Sequence, residues 1–205
     1  MKRYIESFPS RLNGIDFKTL ENSKHSIYGI SKEMNLIYVN PGWIHFAEEN
    51  GARDTVLKKF PLGTPIANAF LGEKVKDFYI KNYMKVLETR KTWQYEYECS
   101  SVDEFRQFRQ DTYPLKDGNG LIIVNALIVN LSMKRTGRKA LDALNNRYVK
   151  STGFVTQCSN CRYTQRADKP EFWDWVPDWV EKIPDNFSHS ICPICYDYYW
   201  KYDLS

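Results

Sequence analysis

Four of the chain's five cysteines stand in two Cys-x-x-Cys pairs, Cys158 and Cys161 in "CSNC" and Cys192 and Cys195 in "CPIC". A two-residue gap lets both sulfurs of a pair turn toward one point. Two such knuckles brought face to face supply four soft ligands to a tetrahedral metal. Four protein ligands leave no coordination position for water, so the expected role is structural rather than catalytic. Four sulfurs suit zinc and iron alike, and a redox-active dithiol uses the same spacing. Structural zinc is the preferred reading, because a module this small lacks the core to fold alone and metal binding supplies on the order of 10 kcal/mol. His189, in "SHSICPIC", precedes Cys192 closely enough to replace a cysteine as ligand or to hydrogen-bond a thiolate. Between the pairs, "KPEFWDWVPDWVEKI" sets Phe172, Val176, Trp179 and Ile183 on one helical face, with Pro177 dividing two short helices.

The chain's 205 residues, 42% apolar and 15% aromatic, suffice for one sizeable core and a small satellite. The opening residues hold no apolar run of secretory length, and no later stretch reaches membrane-spanning length. A cytoplasmic location is therefore expected, where paired cysteines are more often metal ligands than disulfides. Residues 151–205 carry five Lys/Arg against eight Asp/Glu, about −3, which leaves about +7 of the net +4 for the rest. The acidic tail is thus set off from the body by "MKRTGRKALDALNNRYVKSTG", where Leu141, Leu144 and Tyr148 recur at helical spacing. A basic connecting helix is expected over 132–153, followed by a four-cysteine zinc-binding module over 154–205.

Upstream, "SIYGIS" and "LIYV" flank the turn-like "KEMN" and read as an antiparallel hairpin. Asn40 caps a following helix with Pro41 at its first position and Gly51 as its stop. "GEKVKDFYIKNYMKVLETRK" aligns Val75, Phe78, Tyr79, Tyr83 and Val86 on one face of a longer helix. "TWQYEYEC" alternates Trp93, Tyr95, Tyr97 and Cys99 with Gln94, Glu96 and Glu98, the period of a half-buried strand. Two more strands flank the reversal "KDGNG", and the last, "LIIVNALIV", is apolar but for Asn125 and so belongs at the centre of the sheet. The fold class expected is α+β: a five-stranded antiparallel sheet with helices on one face, plus a small zinc-ribbon-like C-terminal module.

In this order of elements, and in "IYGISKEMNLIYVNPGW", residues 16–129 resemble a PAS domain. The resemblance implies a sensory domain over 26–131, a flanking helix within 1–25 that mediates a homodimer, and a pocket between the helices and the concave face of the sheet. Candidate pocket residues are Trp43, Phe46, Tyr79, Tyr83, Trp93, Tyr95 and Asn125, although aromatics at such spacing also serve as plain core. Haem-binding members place a histidine on the longer helix and flavin-binding members an Asn-Cys-Arg-Phe-Leu run; residues 66–90 hold neither, so neither cofactor is expected. The tail resembles a cysteine-containing segment at the ends of bacterial PAS-containing sensor and response-regulator proteins. The resemblance runs through Cys158, Cys161, Phe172, Trp173, Phe187, Ser188, His189, Ile191, Cys192, Pro193 and Cys195. "RYTQRADK" departs from the Lys-Lys-Ile-Arg stretch of those relatives.

No kinase or cyclase signature, glycine-rich phosphate loop or Ser/His/Asp constellation is present, so no catalytic activity is expected. The function expected is a bacterial sensory or signalling protein that takes a small molecule or a protein partner and binds no membrane. The alternatives are a zinc-ribbon nucleic-acid-binding regulator, which the acidic tail disfavours, and a zinc/thiol redox sensor.

Overall fold

The computed structural model describes residues 2–52 and 56–201. Nine strands and seven short or medium α-helices alternate along them. β1 (Ser26–Ser31) and β2 (Leu36–Val39) form the expected antiparallel hairpin, with Tyr28 opposite Val39 and Gly29 opposite Tyr38. Met34 takes the positive φ of 63° that lets so short a turn close. β3 (Trp93–Glu98), β4 (Glu104–Pro114) and β5 (Gly120–Ser132) complete a five-stranded antiparallel sheet in the order β2-β1-β5-β4-β3. The apolar β5 is its middle strand, and β1 pairs along it from Ser26 opposite Asn125 to Ser31 opposite Gly120.

The chain divides into two compact units. One comprises Met1–Phe70, Lys76–Tyr95 and Arg109–Ala126; the other comprises Leu71–Val75, Glu96–Phe108 and Leu127–Ser205. The tip of the β3–β4 hairpin thus groups with the cysteines.

In the first unit, the two faces of β1 pack against different partners, as side-chain alternation requires. Tyr28 turns toward the longer helix α4 (Glu73–Thr89), where its hydroxyl meets that of Tyr83 at 2.7 Å. On the opposite face Phe8, Leu20 from α1 (Phe17–Asn22), Ile27, Tyr38, Leu115 and Ile122 form a closed cluster, with Phe8 stacked on Tyr38 at 4.2 Å. Gly29 is required there, because a Cβ would lie 2.7 Å from the Phe8 ring. Tyr4, Ile5, Leu12, Ile15 and Phe17 pack against the same cluster, so residues 2–25 turn their apolar side chains to the sheet. α2 (Pro41–Glu49) starts as read: Asn40 accepts from Trp43 N at 2.8 Å.

In the second unit, β6 (Val155–Cys158), β7 (Thr164–Gln165), β8 (Trp173–Asp174) and β9 (Phe187–Ser190) form a sheet ordered β8-β7-β6-β9, in which β6 and β9 run parallel. Two sequence expectations fail here. The connector 132–153 is not one helix: Gly137 turns left-handed at φ 70°, Leu141 N bonds Trp175 O at 3.0 Å, and only α5 (Asn145–Tyr148) is helical in its second half. The stretch 169–183 is not a helix pair: its first half pairs as β8 with β7, and Pro177 opens α6 (Pro177–Glu181) instead of dividing two helices. Val176 and Trp179 are buried with Tyr148 and Val155, whereas Phe172 and Ile183 are exposed. No helix among the described residues is long and apolar enough to cross a membrane.

Candidate functional site

Cys158 ends β6, and the chain reverses through residues 159–162 to place Cys161 beside it. The turn closes with Arg162 N bonding Cys158 O at 3.1 Å while Arg162 itself takes a φ of 65°. Cys192 caps the short α7 (Pro193–Cys195), whose last residue is Cys195, and receives the Cys195 N–H on its sulfur at 3.4 Å. Parallel pairing of β6 with β9 brings both knuckles to one end of the sheet, and Ser159 N bonds Ser190 O at 2.8 Å. The four sulfurs lie within 4.8 Å of one another, and all four cysteines are buried. The Cys161 and Cys192 sulfurs are 3.6 Å apart, close to the edge of about 3.8 Å that a tetrahedron with 2.3 Å metal–sulfur bonds requires.

Charge makes the same point. Hydrogen bonds from Cys161, Cys192 and Cys195 pull the Cys158 thiol far below its ordinary pKa, and Cys158 in turn pushes Cys161 and Cys195 up. Cys192 is lowered as well, so the protein alone favours two thiolates and resists the other two, and a bound cation is what lets four ionise together. Backbone and amide donors are already aimed at the sulfurs: Cys192 N reaches Cys158 Sγ at 3.3 Å, and Asn160 Nδ2 reaches Cys195 Sγ at 3.3 Å. The residues present fit a structural metal, and all four sulfurs are available to it.

Behind the sulfurs lies a network that sequence reasoning missed. Asn160 accepts the Glu98 N–H at 2.9 Å with the oxygen of the same amide that binds Cys195. Both Glu98 oxygens accept from Arg138 at 2.8 Å, and Ser100 donates to the first at 2.6 Å. The Arg138 guanidinium lies 5.1–5.3 Å from the rings of Phe105, Tyr163 and Trp175. Glu98 sits at an outward position of the β3 alternation, and Arg138 lies in the basic connector, so pattern placed both in solvent. Asn160 is an amide inside the knuckle, and that position between two cysteines is the signal that could have marked it.

His189 is not a member of the sulfur cluster. It stands on β9 opposite Gln157, its Nδ1 is buried without a hydrogen-bond partner, and burial lowers its pKa below the ordinary histidine value. The expected thiolate hydrogen bond is therefore not made through Nδ1. Its Cβ lies against Gly72, where a Cβ would come within 3.1 Å of it and where the φ of 89° disfavours any other residue.

The candidate pocket residues divide. Tyr79, Tyr83, Trp93 and Tyr95 pack on each other and on Phe78 and Phe70, with Trp93 stacked on Tyr95 at 5.5 Å and Phe70 on Tyr79 at 4.6 Å. Phe46 is half-buried, and buried Asn125 donates to Ser26 O at 3.3 Å across the β1–β5 pair. Trp43 lines a cavity of about 100 Å3 with Tyr28, Leu36, Phe60, Ile66 and Phe70; the other six candidates do not. Beside the aromatics the Tyr83 hydroxyl donates to buried Gln110 at 3.2 Å, a polar contact unforeseen in the strand pattern.

No family model matches the chain, and no curated protein matches it. Among solved structures it is similar to a phage VqmA–DPO complex, at 16% identity and a TM-score of 0.40 over 58% of this chain and 52% of that one. It thus spans about half the length of that structure. It is also similar to the PAS domain of a protein from Colwellia psychrerythraea, at 14% identity and a TM-score of 0.39 over 54% of this chain and 92% of that one. A PAS domain from a two-component sensor histidine kinase aligns at 10% identity and a TM-score of 0.35 over 54% and 90%.

Proposed function

We propose that this chain is a non-catalytic sensory or signalling protein of the cytoplasm. In this reading a PAS-like body binds a small molecule or pairs with a second copy, and a module held by structural zinc presents the surface a protein partner reads. The observation that carries the proposal is the cage of four buried sulfurs within 4.8 Å. It engages every cysteine of the two pairs, so a metal held there has no open position for chemistry. The sensory half rests on the α+β sheet with its aromatic lining. The cavity beside Trp43, about 100 Å3, is well under the roughly 300 Å3 at which drug-sized pockets begin. The ligand of this reading is accordingly a molecule of few atoms, or one that displaces Phe70 or Trp43 on entry.

Elemental analysis together with native mass spectrometry tests both halves. One zinc per chain is expected. Metal-free protein whose four thiols all react without unfolding would overturn the structural-metal reading. Light scattering after gel filtration tests the homodimer, and a strict monomer that retains no small molecule removes the sensory one.

A second reading, a zinc/thiol redox sensor, is favoured by one feature: the buried Cys161, Cys192 and Cys195 line a cavity of about 510 Å3, the approach an oxidant would use. Peroxide that leaves zinc content and tail folding unchanged excludes it. Nucleic-acid binding by the module is weighed down by its charge, about −3 over 151–205 before a four-thiolate zinc adds about −2.

A further inference from the structure

The connector and the cysteine module line a further, open cavity of about 590 Å3 that takes no part in the metal cage. It is lined by Arg138, Lys139, Arg147, Arg166, Tyr163, Trp173, Asp174 and Trp175 among others. Its size lies within the range of small-molecule sites. Charge decides what it holds. Arg138 is neutralised by both oxygens of Glu98, and Arg166 by both oxygens of Asp174 at 2.6 and 3.0 Å. Asp174 is saturated further by the Tyr148 hydroxyl at 3.0 Å. Lys139 and Arg147 have no carboxylate partner among the described residues. The cavity therefore carries two unmatched positive charges within a unit whose tail is acidic overall.

The walls that remain are aromatic. Trp173 is half-buried and Tyr163 half-buried, while Trp175 is covered by the Arg138 guanidinium. Arg147 lies over the Tyr148 ring at 6.0 Å and, like Lys139, keeps an unneutralised charge. Indole and phenol edges beside two such cations recognise a flat ring that bears an anionic group: the charge pairs with Lys139 and Arg147 and the ring packs on the aromatics. We propose that this cavity binds a small planar anion, an aromatic or heteroaromatic ring carrying a carboxylate or phosphate. The net acidity of the surrounding tail favours a compact anion over a polyanion, which would meet those acids at every further phosphate.

The test uses full-length, metal-loaded protein and three probes, indole-3-carboxylate, adenosine monophosphate and inorganic phosphate, followed by calorimetry and tryptophan fluorescence. At least one ring-bearing probe is expected to bind at least tenfold more tightly than phosphate. The Lys139→Gln, Arg147→Gln double variant, which leaves the Glu98 and Asp174 pairs intact, is expected to weaken it at least tenfold and to flatten its salt dependence. A Trp173→Leu variant should lose ring selectivity while metal content and circular dichroism stay unchanged. The proposal is overturned if no ring-bearing probe binds below about 1 mM, a weak limit on the affinity scale, or if the double variant binds equally well. It is also overturned if a single-stranded oligonucleotide binds more tightly than its mononucleotide, which assigns the site to a polymer. None of these outcomes depends on the sensory reading, and metal analysis of the same samples tests the zinc cage separately.

Discussion

The Glu98–Arg138 pair offers a quantitative test of how the cysteine module is held together. Glu98 is 4% and Arg138 12% exposed at the side chain, and two 2.8 Å bonds join them. Replacing Glu98 by alanine leaves a guanidinium charge among Phe105, Tyr163 and Trp175 with no counter-ion. Replacing Arg138 by methionine strands the carboxylate instead. Breaking one side of a buried pair costs about 3–5 kcal/mol, because the partner's desolvation is no longer offset. Removing both leaves an apolar contact and costs much less, so the double variant is expected to recover at least about 2 kcal/mol of the summed single losses. Urea unfolding, with free zinc fixed in excess so that metal linkage is constant, reads these values. With an m-value near 2 kcal/mol/M, each single variant shifts the midpoint down by about 2 M. Single losses under about 1 kcal/mol, or a double variant as unstable as the sum, would refute the claim that this pair is buried and coupled.

Three further outcomes follow from particular contacts. Cys192→Ser, or chelation of the wild type, is expected to unfold the module, with rapid proteolysis between residues 154 and 200, because structural zinc contributes on the order of 10 kcal/mol; a protease-resistant chelated module would contradict it. Asn40→Ala should cost about 3 kcal/mol in thermal or urea unfolding, since the buried amide caps α2, accepts from Ile27 N and donates to Leu20, Ser23 and His25 carbonyls. The Glu21 carboxyl is held below its ordinary value of 4.5, first by its hydrogen bond from Arg3. Its contribution is therefore complete above that value and lost as pH falls through the lower folded one. Glu21→Gln should flatten the fall in melting temperature between about pH 5 and pH 3, and an unchanged slope would argue against the pair.

What could be read from the sequence was whatever local chemistry dictates locally. Asn40-Pro41 can do little but start a helix, "LIIVNALIV" without charge belongs mid-sheet, and two Cys-x-x-Cys pairs point at one another once the chain brings them close. The stretch 172–183 shows where such reasoning ends. Its apolar spacing suits a helix, yet Trp173 and Asp174 pair with Gln165 and Thr164, and Asp174 is claimed by Arg166 and Tyr148. Those partners are remote in sequence, and a window of local periodicity holds no information about them. The aromatic candidates are a different case: spacing put Tyr79, Tyr83, Trp93 and Tyr95 on inward faces, where they pack on one another, but how much space remains between rings depends on packing alone.

The basic connector carries the largest lesson about charge. Six Lys and Arg residues with a single acid read as a solvated helix, because isolated charges belong in water. The structure separates them by partner. Arg138 is taken inward, since Glu98, outwardly placed on a strand that ends beside the metal cage, can satisfy its fork with two bonds while three rings cover its faces. Lys139 and Arg147 find no such acid among the described residues and stand on the cavity wall. A left-handed Gly137 directly precedes the first of these residues, so the backbone turns where a helix would have continued and one arginine leaves the surface. Substituting Gly137 by a β-branched residue, which cannot relax into φ 70° without strain, is therefore expected to disturb the Arg138–Glu98 pair and the cavity together. A Gly137→Val variant that kept both would mean that the pair, rather than the turn, places the connector.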